Sequence, residues 1–594
     1  MKSGSLYFQK GVGVKLSLII TLLLILLIGD NQPTLALIQD NSPLTIYTAQ
    51  ADDSLSHLAD KYYQDPLVWP VIFQATNDLA LTDSRFTALD SPHVLKPGQR
   101  LAIPDLAGVD RLIADAATSN PLPQHQLLSA AWLADFTAYV EATRQHFGIP
   151  GTALAIVRDN QIVLAEGFGV RELGRAEPVT PETVFGIGST TKAMNSMLIA
   201  RLVDESLLDW DQPVVEIWPD FKLSDPAVTP QIRVRDLLNM GSGVPRADLV
   251  WSGAGLTAEQ VMESLAELPV VAPPGRRFQY NNQLVATGGF VAALAAGAPY
   301  GQLEVAYADL LGTRIFEPIG MRSATLSIDA ARANSNYATP HDFTLFGEVL
   351  PLDYHAETGI APAGAVNANV LDLARFLMTQ LNEGIGPTGT RVVSKANLAE
   401  TWRPQIQAYG ETYYGMGWFI ETYEGVELIW HDGDVLGFKS LLVLIPEAKV
   451  GMALLTNRTI SVGFSSSIRY RLVEALYGRE REAGIDYKDQ WDGFMAALPE
   501  IRAPLATTLT SAEAAPYLGQ YTDGWRVEQR ADGTLWAMRG PYGWQLLAAG
   551  HGEFVVNNGF GITTPLQFSE DERGTMTMKF RLSTGEAGEY QLLK

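Results

Sequence analysis

The sequence contains no cysteine. This absence excludes disulfide bonds, thiolate metal sites, a cysteine nucleophile and lipidation through an N-terminal cysteine. Basic residues are also scarce, since 43 Lys and Arg stand against 66 Asp and Glu, for a net charge of -23. Such a charge repels phosphate backbones and anionic lipid surfaces, so we expect no nucleic-acid partner.

Two further patterns are missing. Apart from one histidine discussed below, the histidines show no metal-ligand spacing such as His-x-x-x-His, and no glycine-rich loop lies between a strand and a helix in the pattern of phosphate sites. We therefore expect neither a metal nor a cofactor. What is present is ordinary globular composition, with 47% hydrophobic and 18% charged residues. At roughly 100 to 200 residues per domain, 594 residues predict a multidomain chain.

Residues 1–36 are typical of a secretory signal peptide. Three lysines precede a largely apolar run at 16–28, and Thr34-Leu35-Ala36 supplies small residues for cleavage. The alternative is an uncleaved membrane anchor, but a span needs about 20 apolar residues, and extending the run upstream would bury Lys15. We expect an exported protein of the periplasm, cell wall or extracellular space, with membrane contact only if the signal stays uncleaved.

Residues 45–104 predict a small β-α-α-β unit. A strand candidate at 44–48 precedes helical spacing from Leu55 onwards, a second apolar stretch begins at Trp69, and a Pro97-Gly98 turn leads into a final strand. This order, with Ala59 to Tyr63, Asn77 and Gln99, resembles a LysM module. The resemblance implies binding to peptidoglycan or another N-acetylglucosamine polymer. The contacts that it implies lie near Asp53, Ser54 and Leu55.

A linker and a large domain follow. Residues 105–130 are rich in Ala, Ser and Pro, as linkers often are. From 131 to 480 helical and strand patterns alternate, with a strand pair at 152–157 and 161–165 and later strands near Ile429 and at 441–445. The pattern predicts an α/β (α+β) domain whose sheet is built from both ends of the segment.

The chemistry of this domain concentrates at Ser189-Thr190-Thr191-Lys192, where a glycine-rich turn enters a helix pattern. Lys192 then lies one helical turn from Ser189 on the same face. A serine needs a neighbouring base, and a lysine serves as one only if burial or positive charge lowers its pKa. Ser-x-x-Lys alone is weak evidence, because a chain of this length is expected to contain about two by chance.

Partner motifs strengthen this interpretation. Tyr280 and Asn282 form a Tyr-x-Asn motif, and His431-Asp432-Gly433 leads into a strand. The order Ser-x-x-Lys, Tyr-x-Asn, His-x-Gly resembles the serine β-lactamase-like hydrolases of the class C β-lactamase and D-alanyl-D-alanine carboxypeptidase family. Supporting segments in the same order are Leu237-Leu238, Ser242 to Pro245, Glu317 to Met321, Pro362 to Gly364, Asp372 to Phe376 and Tyr414 to Trp418.

The resemblance implies a role for each motif residue. Ser189 is the nucleophile that becomes acylated, and Lys192 and Tyr280 transfer protons, with the choice of general base left open between them. Asn282 contacts the substrate. The backbone N–H groups of Ser189 and Asp434, next to Gly433, form the oxyanion hole.

His431 is a departure from the family pattern. Members that act on β-lactams or D-Ala-D-Ala termini commonly carry lysine at this position, whose charge suits a substrate carboxylate. Histidine is mostly neutral at pH 7. We therefore expect His431 to contact substrate without attracting a carboxylate, as in esterase or D-amino-acid peptidase-like members.

The C-terminal part shows a different pattern. Residues 481–510 read as a mixed linker, and 511–594 show several strand candidates separated by Asp-Gly, Asn-Gly and Arg-Gly turns. This segment resembles the small lipocalin-like antiparallel β-barrel that accompanies some members of the hydrolase family. Its Trp525, Trp536 and Trp544 are expected in the barrel core.

Taken together, these patterns predict an exported serine hydrolase without a cofactor, acting on amide or ester bonds of D-amino-acid-containing peptides and tethered to wall glycan. Two alternatives stay open. One is β-lactamase or D-Ala-D-Ala carboxypeptidase activity, and the other is a catalytically inactive wall-binding protein.

Overall fold

The computed structural model divides the chain into two compact units, residues 1–124 and 125–594. It describes residues 44–50, 53, 55–63, 69–80, 83–89, 95–105, 128–355, 357–480, 483–557, 565–571, 574–581 and 587–593. The predicted signal at 1–36 and most of the predicted linker at 105–130 lie outside these residues. Within them, no helix combines the length and the apolar composition that a membrane span requires.

The first unit has the predicted β-α-α-β order. Strands Leu44–Thr48 and Arg100–Pro104 pair antiparallel, with Ile46 opposite Ala102. Between them lie helices Leu55–Tyr63 and Trp69–Ala80. Their apolar faces bury a small shared core. The core residues with the least exposure are Leu55, Ala59, Ile72 and Leu101. The LysM resemblance itself stays a prediction.

The second unit is built on an eight-stranded antiparallel sheet. In spatial order its strands are Gln161–Gly169, Gly151–Arg158, Val450–Thr456, Phe438–Ile445, Val426–Val435, Phe419–Tyr423, Thr412–Tyr414 and Ile406–Tyr409. Strand Gly151–Arg158 from one end of the segment pairs with Val450–Thr456 from the other, so the sheet is built from both ends of the segment, as the sequence predicts. The first hairpin turns at Asp159 and Asn160, which both adopt positive φ.

Helices cover both faces of this sheet, since every side chain of strand Phe438–Ile445 is buried. The helices of eight or more residues in the hydrolase part are Ala130–His146, Thr191–Asp204, Asn282–Ala295, Leu303–Leu311, Val370–Leu381, Lys395–Trp402 and Val462–Leu476. Helix Val370–Leu381 packs on strands Gly151–Arg158 and Val450–Thr456, while Val462–Leu476 contacts Phe438–Ile445 and packs on Ala130–His146.

Shorter elements connect these helices. The short helices are Val214–Ile217, Asp248–Trp251, Ala258–Ser264, Glu317–Ile319, Ile328–Ala333 and Ala361–Gly364, and the short strands are Phe185–Gly186, His341–Phe343, Val349–Pro351 and Asn367–Ala368. Strand Phe185–Gly186, which leads into the Ser189 turn, pairs with Asn367–Ala368. This pairing fixes the position from which the candidate nucleophile emerges.

The interpretation of 481–510 as a linker is wrong, because a helix spans Ala483–Arg502. The polar composition of the segment and Pro499 argued against a helix. The helix nevertheless has an apolar face, which packs on the hydrolase part. The Trp491 ring lies 5.5 Å from that of Phe147 and 5.3 Å from that of Phe343, measured between centroids. Tertiary packing therefore stabilises a helix that the local pattern does not predict.

The C-terminal region forms a second antiparallel sheet. After a short helix at Ser511–Ala514, its strands follow chain order: Gly519–Gln520, Trp525–Gln529, Leu535–Arg539, Tyr542–Gly550, Glu553–Val556, Pro565–Glu570, Met576–Arg581 and Ala587–Gln591. The sheet curls until its ends meet, because Leu593 N donates to Gln520 O at 2.7 Å. Trp525 is buried in its core, Trp544 lies at the core's edge, and Trp536 instead stacks against Arg530. The lipocalin likeness stays a prediction.

Candidate active site

Ser189 lies in a tight turn at the start of a buried helix. A 3₁₀ turn at Gly188–Thr190 continues into helix Thr191–Asp204, which places Lys192 in the first helical turn. Lys192 Nζ lies 2.9 Å from Ser189 Oγ and donates to Ala363 O at 2.7 Å. The Lys192 side chain is fully buried, while Ser189 keeps some exposure. The predicted nucleophile and the predicted proton acceptor are therefore in contact.

The surroundings of Lys192 favour its neutral form. Burial lowers the pKa of the amine well below its usual range, and the positive charge of Arg246 lowers it further. The carboxylates of Asp248 and Asp432 act in the opposite direction, with smaller effect. A neutral amine carries a lone pair that can accept the proton of the Ser189 hydroxyl.

Tyr280 completes the group of proton-transferring side chains. Its hydroxyl lies near Ser189, and its ring centroid lies 5.0 Å from Lys192 Nζ. Burial raises the pKa of the phenol, so Tyr280 stays protonated at neutral pH. The next residue, Asn281, caps helix Asn282–Ala295 by accepting from Leu284 N, which fixes the backbone beside the phenol.

The Asn282 side chain makes a hydrogen bond through its amide nitrogen but not through its amide oxygen. Its Nδ2 donates to Asp248 Oδ1 at 2.9 Å, and its buried Oδ1 has no hydrogen-bond partner among the described residues. Asn282 also lines the cleft that opens at Ser189. The Trp251 indole N–H lines the same cleft and likewise lacks a partner within the described part of the chain. An unpaired acceptor and an unpaired donor therefore belong to residues that line the cleft.

Two glycines bring the end of strand Val426–Val435 against the nucleophile. A Cβ on Gly433 would lie 2.1 Å from Ile187 O, and one on Gly188 would lie 2.8 Å from the carbonyl carbon of Asp434. Gly188 also has a positive φ of 52°. The backbones of Ser189 and Asp434 therefore lie side by side, which is the arrangement that the predicted pair of oxyanion-binding N–H groups needs.

His431 differs from the expectation of a substrate contact. Its ring is buried and lies outside the cleft surface, because Nε2 is 3.0 Å from the Tyr414 hydroxyl and Nδ1 contacts Asp432 O. Burial lowers the pKa of His431 to about 4. The ring is therefore neutral at pH 7, as the sequence predicts, but any influence on substrate passes through Tyr414 or through Tyr280, 6.4 Å away between centroids.

A cluster of charged side chains on the paired strands Val426–Val435 and Phe438–Ile445 was not predicted from the sequence. Lys439 is buried and its ammonium contacts the carboxylates of Asp432 and Asp434. Asp434 pairs directly with Lys439 across the hairpin. The signal was present, because a turn at 436–437 places residues 434 and 439 opposite each other, and residue 432 shares the face of 434.

The cleft has a volume of about 260 Å³ and its walls come from distant segments of the second unit. The hydrolase part contributes Ser189, Arg246, Trp251, Ser252, Asn282, Tyr354, His355, Glu357, Ile360, Ala363 to Ala365, Val435, Leu436 and Thr459, besides Asp434. The C-terminal sheet adds Tyr542 and Trp544. Ala363 and Gly364 belong to a supporting segment recognised in the sequence. The way in which the other, distant wall residues meet forms no local pattern and was not predicted.

Arg539 fixes the contact between the C-terminal sheet and the cleft loop. Its guanidinium donates to Leu249 O and Ser252 O from a largely buried position. Gly540 approaches Gly253 so closely that a Cβ there would lie 2.5 Å from Gly253 O. The second sheet is therefore part of the cleft's architecture.

The remaining predicted residues lie in the first unit. Asp53 is described and accepts from Gln50 N at 2.7 Å, whereas Ser54 lies outside the described residues. The Leu55 side chain is buried in the unit's core, so a contact from Leu55 to a glycan would have to come from its backbone. In the described part of the chain, no cluster of three His, Asp or Glu residues suits a metal ion.

The antiparallel sheet, its helical cover and the Ser-x-x-Lys pair at a helix start define a serine hydrolase of the β-lactamase and transpeptidase type. The family model Beta-lactamase matches residues 136–477, more than half of the chain. The chain therefore belongs to the beta-lactamase family.

Similar proteins are hydrolases and penicillin-binding proteins by name. The unguisins hydrolase ungD' of Aspergillus campestris is 27% identical over 427 residues, covering 68% of this chain and 77% of that protein. Penicillin-binding protein 4 of Amycolatopsis lactamdurans is 28% identical over 390 residues, covering 64% and 95%. The octameric penicillin-binding protein homologue from Pyrococcus abyssi matches in fold, with a TM-score of 0.51 and 22% identity, over 77% of this chain and 99% of that one.

Proposed function

We propose that this chain is an exported serine hydrolase that forms an acyl-enzyme on Ser189 and cleaves amide or ester bonds of D-amino-acid-containing peptides. The observation that carries the proposal is the contact of 2.9 Å between Ser189 Oγ and Lys192 Nζ, together with the full burial of Lys192. A serine beside a neutral amine is an activated nucleophile.

Acylation follows from this geometry. Ser189 Oγ attacks the substrate carbonyl carbon while its proton passes to the neutral Lys192 amine. The developing oxyanion receives hydrogen bonds from the backbone N–H groups of Ser189 and Asp434. Collapse of the tetrahedral intermediate breaks the amide or ester bond. The leaving group takes a proton from the Tyr280 hydroxyl, which Lys192 reprotonates.

Deacylation reverses these transfers with water in place of the leaving group. Lys192, neutral again, accepts a proton from the attacking water through Tyr280, and the acid product leaves as the Ser189 hydroxyl is restored. Under this scheme Lys192 is the base, because burial lowers its pKa while it raises that of Tyr280.

The substrate class rests on the cleft and on the relatives' names. Asn282 Oδ1 and the Trp251 indole N–H complement the N–H and C=O of a substrate amide. A neutral, buried His431 offers no fixed charge to a carboxylate, which disfavours β-lactams and D-Ala-D-Ala termini. Among the relatives, the protein named unguisins hydrolase supports a hydrolase, and the one named penicillin-binding protein 4 supports the β-lactam alternative. β-Lactamase or carboxypeptidase activity is the alternative.

Acylation by a fluorophosphonate, read by intact mass, tests the enzymatic proposal. We expect one adduct on the wild-type chain and none on Ser189→Ala. A benzylpenicillin arm separates the β-lactam alternative, because a neutral His431 predicts slower acylation by penicillin than by the uncharged probe. No fluorophosphonate adduct on the folded wild type would favour the inactive wall-binding alternative.

The β-α-α-β unit supports a tether to peptidoglycan. Purified peptidoglycan should sediment the full chain but not a chain that lacks residues 45–104. Equal sedimentation of both chains would contradict binding to peptidoglycan through residues 45–104. Mass spectrometry of the exported protein, with a new N-terminus near residue 37, would test cleavage of the signal.

A further inference from the structure

Glu357 is a charged side chain of the cleft wall whose role the proposed chemistry does not use. It lies on the loop before Ile360, and its Oε1 accepts from Gly253 N at 2.7 Å. The Tyr542 hydroxyl, which donates to His355 O, also lies near the carboxylate. The loop, the opposite wall and the C-terminal sheet thus hold Glu357 at the cleft.

Two other charged residues that line the cleft have ion-pair partners. Arg246 pairs with Asp248, and Asp434 pairs with Lys439. Glu357 has no ion-pair partner among the described residues. The positive charge of Arg539 is close enough to lower the pKa of Glu357. The Arg539 guanidinium nevertheless donates to the backbone carbonyls of Leu249, Ser252 and Asp523.

An unmatched carboxylate in a partly buried position is unfavourable in the absence of a cation. Burial raises the pKa of Glu357, which shows that its surroundings disfavour the charged form. A positive group on the substrate would supply the missing partner. Aromatic walls nearby, from Tyr354, Tyr542 and Trp544, also suit a cation.

We propose that Glu357 binds an ammonium group of the substrate, so that the enzyme selects peptides or amides with a free amine near the scissile bond. This inference rests on the proposed function and narrows its substrate class. Asn282 and Trp251 would hold the amide of the same substrate, while the Tyr542 hairpin closes the cleft beyond the amine.

A matched pair of substrates tests the inference with the full-length chain. The two compounds are D-alanine p-nitroanilide, which has a free amine, and its N-acetyl derivative. Glu357→Gln keeps an oxygen to accept from Gly253 N but removes the charge. Glu411→Gln, an exposed residue outside the cleft, is the matched control.

We expect Glu357→Gln to lower kcat/KM for the free amine at least tenfold, mainly through KM, and to change that for the acetylated compound less than twofold. Fluorophosphonate labelling and the control variant should be unaffected. Equal losses on both compounds, no loss on the amine, or a wild type without preference for the amine would each overturn the inference.

Binding to Ser189→Ala keeps this result separate from the proposed function. Calorimetry should show tighter binding of D-alanine p-nitroanilide than of the acetylated compound, and Glu357→Gln in this background should remove the difference. A difference that survives the second substitution contradicts the role of Glu357. Failure of the wild type to label with fluorophosphonate contradicts the hydrolase proposal instead.

Discussion

The candidate active site contains two buried lysines with opposite electrostatics. Lys192 lies at the helix start beside Ser189, and Lys439 lies on the strand that pairs with Asp434, one of the proposed oxyanion-hole residues. Burial lowers the pKa of Lys192, and Arg246 adds to that effect. Burial acts in the same direction on Lys439, but Asp432 and Asp434 together outweigh it and raise the pKa.

The difference shows that neighbours decide what a buried lysine can do. Lys192 hydrogen-bonds a hydroxyl and a carbonyl and has no ion-pair partner among the described residues, so it exists most easily as a neutral amine that accepts a proton. Lys439 is held between two carboxylates and stays a permanent cation. One lysine is suited to chemistry, and the other fixes the hairpin that carries Asp434.

The largest effect should follow Lys192→Met. We expect the rate of fluorophosphonate acylation to fall by about 10³-fold, because the general base is lost. Folding should survive, since methionine replaces an uncharged buried chain. Between the lowered folded pKa and about 10.4, the unfolded wild type binds more protons, so its unfolding free energy rises with pH. In Lys192→Met the unfolding free energy should lack this rise with pH. An unchanged rate of fluorophosphonate labelling in the variant would contradict the role of Lys192 as proton acceptor.

Lys439→Met should produce a loss of stability instead. Breaking a fully buried ion pair costs about 3–5 kcal/mol. Asp432 and Asp434 keep 32% and 41% of their side-chain surface exposed, and we discount to about 2 kcal/mol for this solvent screening. Because the folded pKa of Lys439 is raised, its contribution is complete below about pH 10.4 and is lost only at higher pH. Denaturant unfolding at pH 7 measures the loss, and an unchanged midpoint would contradict the assigned role.

Arg246→Gln should have the smallest effect of the three. Without the guanidinium, the pKa of Lys192 rises, since Asp248 then acts on it alone from that side. Less neutral amine is present at pH 7, so the acylation rate should fall less than tenfold and its acid limb should move to higher pH. The pH profile of fluorophosphonate inactivation measures this shift. An acid limb that moves to lower pH would show that Arg246 does not act through Lys192.

Much of the fold was accessible from local pattern. The two apolar runs at 152–157 and 161–165 are joined at Asp159-Asn160, so the sequence predicts the hairpin and a sheet built from both ends of the segment. Strands Tyr542–Gly550 and Ala587–Gln591 were missed, because one lacks alternation and the other is mostly polar. Helix Ala483–Arg502 was missed for a similar reason, since packing around Trp491 stabilises it.

In the candidate site too, residues in local motifs were predicted and contacts between distant segments were not. Ser189, Lys192, Tyr280 and Asn282 belong to ordered motifs, and the structure brings them together. Contacts between distant segments were not predictable in this way. The turn of His431 towards Tyr414 and the approach of Tyr542 to Glu357 depend on packing that no short motif encodes.

Titration of both lysine side chains in one sample tests the comparison most directly. Heteronuclear NMR of the chain with isotope-labelled lysine, assigned with Lys192→Met and Lys439→Met, would report each Nζ or Cε shift against pH. We expect Lys192 to lose its proton well below pH 10.4, while Lys439 stays protonated throughout the range in which the chain is folded. A Lys192 signal that remains protonated up to pH 10.4, or that titrates together with Lys439, would contradict the account.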